Sequence, residues 1–113
     1  MRTLLPSGAM SDFQKVAAVS EFPAAGRLLT FVDDRAVLVL RVADKFYAIE
    51  DVCTHDGQPL TDGPVNGCEI TCPRHGARFD VITGKVLCMP ATSPIPRFAV
   101  KVEDGQILVG PEL

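Results

Sequence analysis

Two short motifs constrain this chain more than anything else in it, Cys53-Thr54-His55 and Cys72-Pro73-Arg74-His75. They hold both of its histidines and two of its four cysteines. Each histidine follows its cysteine by two or three residues, and residues 56–71 lie between the motifs. Two thiols and two imidazoles are therefore delivered from two loops, with one of each kind per loop. Any fold that uses them must bring the two loops together.

Two metal groups suit such a set. Zinc accepts Cys2His2 in a tetrahedron, usually from one close cysteine pair and one close histidine pair. The mixed pairs here are compatible with a single zinc. They suit a [2Fe–2S] cluster better, in which two cysteines hold one iron and two histidines the other. Each loop must then reach both irons, so each needs one ligand of each kind.

The surrounding residues carry a family resemblance. Cys53-Thr54-His55-Asp56-Gly57 and Cys72-Pro73-Arg74-His75-Gly76 resemble the two cluster-binding loops of Rieske proteins, and Arg78-Phe79-Asp80 with Thr83-Gly84 fit the segment after the second loop. The resemblance runs from about Phe13 to Val109. It points to the small Rieske-type ferredoxins of aromatic-ring dioxygenase systems. It implies one [2Fe–2S] cluster per chain, with Cys53 and Cys72 on a buried iron and His55 and His75 on an outer one. The implied role is a soluble, cytoplasmic electron carrier that is not itself an enzyme. It would take one electron from a flavin-dependent ferredoxin reductase and pass it to a terminal ring-hydroxylating oxygenase. The competing reading is a Rieske-like accessory subunit fixed in a larger redox enzyme such as nitrite reductase. A zinc-stapled interaction module is a third.

The family also gives meaning to what is absent. High-potential Rieske proteins carry an extra cysteine in each loop, joined as a disulfide; the matching positions here are Gln58 and Arg74. Those proteins also set a serine and a tyrosine hydroxyl against the cluster and its ligand sulfur, where this chain has Ala77 and Phe79. Each missing donor leaves negative charge on sulfur less stabilised, which lowers the reduction potential. Rieske centres span roughly −150 to +300 mV, and this chain is expected near the low end. Pro94 and Pro96 resemble the proline-containing segment that covers the cluster. Asp56, Gln58, Pro59 and Arg74 flank the ligands and are candidates for a docking rim.

Length and charge agree with a carrier. A chain of 113 residues makes one domain with a modest core. It is too short to add the mononuclear-iron domain of an oxygenase, and no further histidines remain to build one. A net charge of −3 with eleven scattered Lys and Arg gives no footprint for nucleic acid. No apolar run approaches the roughly 20 residues of a membrane span. Leu4-Leu5 meets Pro6 at once, unlike a signal-peptide core. Residues 1–12 are expected to be a disordered lead or a start-site extension, with Met10 an alternative start. Without a leader, the cysteines read as ligands in a reducing compartment. Cys68 and Cys88 read as small apolar residues half-buried in or beside strands, with a disulfide or redox thiol as the alternative.

The chain is expected to be all-β, a Rieske-like antiparallel β-sandwich base carrying an inserted loop-rich subdomain. Leu28–Val32, Ala36–Val42 and Phe46–Glu50 are strand-like runs separated by Asp33-Asp34-Arg35 and Ala43-Asp44-Lys45. Phe98, Val100 and Val102 alternate with polar or small residues before Asp104-Gly105 turns the chain back through Gln106–Val109. Residues 16–22 read at most as one helical turn. From 51 to about 90 strands shorten, and glycines and prolines punctuate the segment that carries the ligands. A single Rieske domain over 13–113 follows, with the cluster-binding part at about 51–90. Such a lobe lacks a large core, so metal binding is expected to help order it.

Overall fold

The computed structural model describes residues 13–89 and 91–113; the expected N-terminal lead, Met10 and Pro90 lie outside the described residues. Among the described residues ten strands form two antiparallel sheets. In chain order they are β1 (Gln14–Ala18), β2 (Arg27–Val32), β3 (Arg35–Val42), β4 (Lys45–Glu50), β5 (Val65–Asn66), β6 (Glu69–Thr71), β7 (Arg78–Asp80), β8 (Val86–Cys88), β9 (Arg97–Glu103) and β10 (Gln106–Glu112). The larger sheet runs β1-β10-β9-β4-β3-β2, and the smaller runs β5-β6-β7-β8. Among the described residues the only helical piece is one 3-10 turn, Val19–Glu21, which is shorter than the turn expected over residues 16–22.

The strand β3 explains how the two sheets share one molecule. Val37, Leu38, Val39 and Leu40 are all nearly inaccessible, so both faces of this strand are covered. A continuous apolar run, rather than alternation, is what such a strand requires. Its odd residues Val37 and Val39 join Ala48, Phe98, Ile107 and Val109 in a core enclosed by the curling large sheet. Leu38 and Leu40 face the other way, with Ile49, against Leu60, Ile70, Phe79 and Val81 of the smaller lobe. Burying a side chain of this size contributes about 1.5–3 kcal/mol. The lobe therefore stands on a hydrophobic seam as well as on the connecting chain.

Polar anchors fix its orientation. Asp51, 7% exposed, is the only charged side chain buried among the described residues. Its carboxylate accepts a hydrogen bond from the Leu60 backbone N–H (2.8 Å) and one from the Thr61 hydroxyl. Arg27 of β2 donates to the carbonyls of Thr61 (2.5 Å) and Gly63 (2.7 Å). At one end of the large sheet Arg35 bridges Glu50 (2.8 Å) and Glu112 (2.6 Å) and lies 4.8 Å from the centre of the Phe98 ring. The two carboxylates hold its guanidinium pKa well above the ordinary arginine value.

Candidate metal centre

The first motif lies in the loop that leaves β4 and the second in the turn between β6 and β7, and both adopt one backbone frame. In the first loop the Cys53 N–H donates to the Gln58 carbonyl (2.7 Å), and the Gly57 N–H returns to the Cys53 carbonyl (2.7 Å). In the second the Cys72 N–H donates to the Ala77 carbonyl (2.7 Å), and the Gly76 N–H returns to the Cys72 carbonyl (3.0 Å). In each loop the glycine stands four residues after the cysteine, at φ +73° for Gly57 and +79° for Gly76. That region disfavours any residue with a Cβ, so glycine is the natural closure of both turns. The spacing from cysteine to glycine is thus constant, whereas the spacing to histidine is not.

The loops are held differently from behind. The second is the tip of the β6–β7 hairpin, closed by the pair Thr71–Arg78. The first leaves β4 and is tied to the base by the Asp51 N–H to the Ala36 carbonyl (2.8 Å). Its Thr54 hydroxyl donates to the Ser93 carbonyl (2.6 Å), which brings the proline-bearing segment alongside. Ile95 anchors that segment in the lobe core, and its N–H donates to the Gly84 carbonyl (2.9 Å).

The four sequence-predicted ligands form two pairs of unlike burial, the sulfurs of Cys53 and Cys72 and the rings of His55 and His75, and neither histidine belongs to the close group that the sulfurs make with Asp56. Cys53 is 0% exposed and Cys72 1%, whereas the His55 and His75 rings are exposed. The imidazoles stand edge to face with centroids 5.1 Å apart. Ligand atoms of Cys53, Cys72 and Asp56 lie within 4.8 Å of one another. A dry sulfur pair beneath a wet imidazole pair fits a two-iron cluster with unlike ends, thiolates being soft donors and imidazole suiting iron as well as zinc.

Burial pushes the Cys53 thiol pKa up, with Cys72 acting in the same direction against the local backbone N–H donors. At Cys72 burial also opposes ionisation, but the N–H groups of Arg74 and His75, together with Cys53 and the Arg74 charge, outweigh it and lower the pKa. The first proton leaves the pair readily and the second reluctantly, as expected of two thiols sharing a small site.

The largest surprise for a reading from sequence is an ion pair across the loops. Arg74 Nε meets Asp56 Oδ2 at 2.7 Å and its Nη2 meets Oδ1 at 3.2 Å, a two-point contact. Asp56 Oδ1 also accepts the Gln58 N–H (3.0 Å), and its Oδ2 lies 3.5 Å from His75 Nδ1. The Arg74 guanidinium, followed by the Gln58 N–H, holds the Asp56 carboxyl well below the usual carboxylate range. Asp56 and Arg74 are therefore committed to each other, whereas Gln58 and Pro59 remain exposed on the rim.

Cys68 and Cys88 are half-buried and free, Cys68 in the β5–β6 turn and Cys88 in β8, so the disulfide alternative falls. Ala77 and Phe79 are both 0% exposed and pack in the same apolar cluster as Cys53 and Cys72. The two positions where this chain lacks a hydroxyl are thus apolar and fully buried.

A paired-loop Cys/His centre on an antiparallel base defines a class of iron–sulfur protein. The chain belongs to the Rieske [2Fe-2S] domain family, whose model matches residues 12–99. Its cofactor is accordingly a [2Fe–2S] cluster, and the zinc reading is set aside. The chain is 40% identical over 99 residues to "Ferredoxin CarAc" of Metapseudomonas resinovorans, covering 87% of this chain and 92% of that one. The solved ferredoxin of carbazole 1,9a-dioxygenase from Nocardioides aromaticivorans IC177 superposes with a TM-score of 0.82 at 34% identity, over 88% of this chain and 97% of that one. A chain in a complex of reduced oxygenase and oxidised ferredoxin of carbazole 1,9a-dioxygenase matches with a TM-score of 0.79 at 38% identity, over 86% of this chain and all of that one.

Proposed function

We propose that Cys53 and Cys72 hold one iron of the cluster and His55 and His75 the other, and that the protein is the ferredoxin component of an aromatic-ring dioxygenase system. When bound, the cluster supplies a site that accepts and releases one electron. The observation that carries this reading is the unlike burial of the two ligand pairs. Buried sulfurs shield one end, while exposed imidazoles bring the other to the surface where a partner docks. The relatives are ferredoxin components of dioxygenase systems, in keeping with a chain that moves electrons and leaves substrate chemistry to its partner.

The partner to which it delivers is a terminal oxygenase, in keeping with the related ferredoxin solved in complex with one. The donor is a flavin-dependent ferredoxin reductase, and the compartment is the cytoplasm, where free thiols persist. The functional unit is a single Rieske domain over 13–113, with residues 51 to about 90 forming the cluster-binding part. The apolar surroundings of the sulfurs at Ala77 and Phe79 support a low potential.

The test is direct. Reconstituted protein should carry two irons and two acid-labile sulfides per chain. After chemical reduction and anaerobic mixing with an oxidised terminal oxygenase of this type, it should be reoxidised in a single exponential. A colourless chain that holds one zinc and refuses the cluster would sink the ligand assignment. A loaded chain that stays reduced in the presence of such oxygenases would sink the carrier role.

A further inference from the structure

The two loops share a frame, so their side chains can be compared position by position. Two residues after the cysteine stand His55 in the first loop and Arg74 in the second; three residues after stand Asp56 and His75. The structure pairs them crosswise. His55 meets His75 with ring centroids 5.1 Å apart, and Arg74 meets Asp56 at 2.7 Å. In both contacts the second position of one loop faces the third position of the other. This is the reciprocity expected when two like surfaces pack face to face, where residue i meets j and j meets i. One of the two equivalent contacts is the proposed histidine ligand pair. The other is occupied by a carboxylate and a guanidinium.

We propose that Asp56 and Arg74 form an electrostatic clasp that sets the spacing of the two ligand loops and thereby the chain's hold on its cluster, an inference that rests on the ligand assignment above. The geometry suits the task. A guanidinium fork engaging both carboxylate oxygens fixes orientation as well as distance. Asp56 is also fastened to its own loop through the Gln58 N–H, so the force is transmitted to the backbone. The Asp56 side chain is 16% exposed and that of Arg74 33%, so solvent screens the pair less than a fully exposed one. The clasp joins loops rooted in different elements, one leaving the base at β4 and one at the β6–β7 turn. Among the described residues no disulfide links them. Asp56 and Arg74 are positioning residues, since they act through the placement of His55 and His75.

The experiment uses the full cluster-loaded chain with Asp56→Asn, Arg74→Met, Arg74→Lys and the double variant Asp56→Asn/Arg74→Met. Asparagine keeps an acceptor for the Gln58 N–H while removing the charge. Arg74→Met breaks no backbone bond, so it isolates the pair even where Asp56→Asn loosens the turn. Two readouts are taken, the rate of chelator-driven loss of visible absorbance and the reduction potential by voltammetry. Each single variant should lose its cluster several-fold faster than wild type. The double variant should lose it about as fast as a single one, because the second change removes a contact already broken. Arg74→Lys should also lose it faster while leaving the potential near wild type, since it keeps the charge and loses the fork.

The potentials should move in opposite directions. Removing the nearby negative charge in Asp56→Asn raises the potential, removing the positive charge in Arg74→Met lowers it, and the double variant returns toward wild type. A purely structural defect would not produce that sign reversal. Single variants that hold the cluster as long as wild type overturn the clasp, as do rate effects that multiply in the double variant. A wild-type chain that takes up no cluster overturns the ligand assignment itself.

Discussion

The two ligand loops have the same backbone and different roots. The second is a hairpin tip, ordered by strands on either side of it in the chain. The first is a bend between the large sheet and the small lobe, and its order comes from residues distant in sequence, Ala36, Ser93 and Arg27, together with the neighbouring Asp51 carboxylate that holds residues 60 and 61. One loop is local and the other is imposed by tertiary structure. The proposed ligand set draws on both at once, so the less autonomous loop should be where the site fails first. The cysteine sets the sulfur position in each, and the glycine four residues later closes the turn. What may vary between the loops is which intermediate position carries the histidine, provided the partner loop takes the complementary one.

The most severe way to break this likeness is to remove the sulfurs. Cys53→Ser and Cys72→Ser should each abolish or grossly alter the visible spectrum, and the lobe should become protease-sensitive because its ordering is coupled to the metal. Cys68→Ser and Cys88→Ser should keep the spectrum, since both residues lie outside the paired motifs in the sequence and four ligands are already supplied by those motifs. All four are the same substitution in one chain. A Cys68→Ser variant without a cluster beside a Cys72→Ser variant that retains one would reverse the assignment of the second loop.

The roots are separated by Asp51→Ala. It leaves the Leu60 N–H without its acceptor and removes a carboxylate from a nearly dry site. A loss of about 3 kcal/mol in denaturant unfolding is expected, from the lost charged hydrogen bonds and the stranded donor. Hydrogen exchange should show residues 53–61 opening well before residues 71–78. Equal loss of protection in both loops would mean that they are rooted alike, contrary to their hydrogen bonds.

The shared frame is tested by Gly57→Ala and Gly76→Ala. Neither added methyl meets any atom within 4 Å, so the cost is conformational rather than steric. It should be about 1–2 kcal/mol, and similar in the two loops, because both glycines lie in the same left-handed region. Thermal or chemical unfolding of the loaded protein measures it. A large penalty in one loop and none in the other would show that the frames differ in what they demand.

The legible and illegible parts of this molecule divide along similar lines. β2, β3, β4, β9 and β10 follow from apolar runs and Asp or Gly turns, because each is long enough for its pattern to show. The residues that turn between the first of them, Asp33-Asp34 and Ala43-Asp44, sit at positive φ, which aspartate tolerates locally. β1 leaves no such trace. A register shift between Lys15 and Ala17 breaks its alternation, and it is fixed by pairing with β10 at the far end of the chain. The strands β5 to β8 are two or three residues long and have no readable period. At the site, the cysteines and histidines stand out by residue type. Asp56 and Arg74 look like ordinary solvated loop residues until the loops are brought together. Aligning the loops on their cysteines, with the glycine at the same offset in both as the signal, puts Arg74 level with His55 and Asp56 level with His75, and pairing the loops crosswise to join the histidines then sets Asp56 against Arg74.

The smallest expected effect probes an asymmetry between the loops at the position after each glycine, where the first loop has Gln58 exposed and the second has Ala77 fully buried. Ala77 and Phe79 belong to the same buried apolar cluster as the two cysteines, and neither side chain donates a hydrogen bond. Ala77→Ser or Phe79→Tyr would place a hydroxyl in that layer. If it reaches a cluster or ligand sulfur, it stabilises the more negative, reduced state and raises the potential. One ordinary hydrogen bond contributes about 1 kcal/mol, which for one electron corresponds to a shift on the order of 40 mV. Voltammetry on loaded variants with unchanged iron content reads the shift. Phe79→Tyr must also fit an extra oxygen into a filled site, so a modest loss of stability should accompany it. A fall or no change in both variants would mean that the hydroxyls point away from the sulfurs. A low potential measured for the wild-type chain would then have to arise from the exposed histidine end of the site rather than from the buried apolar layer.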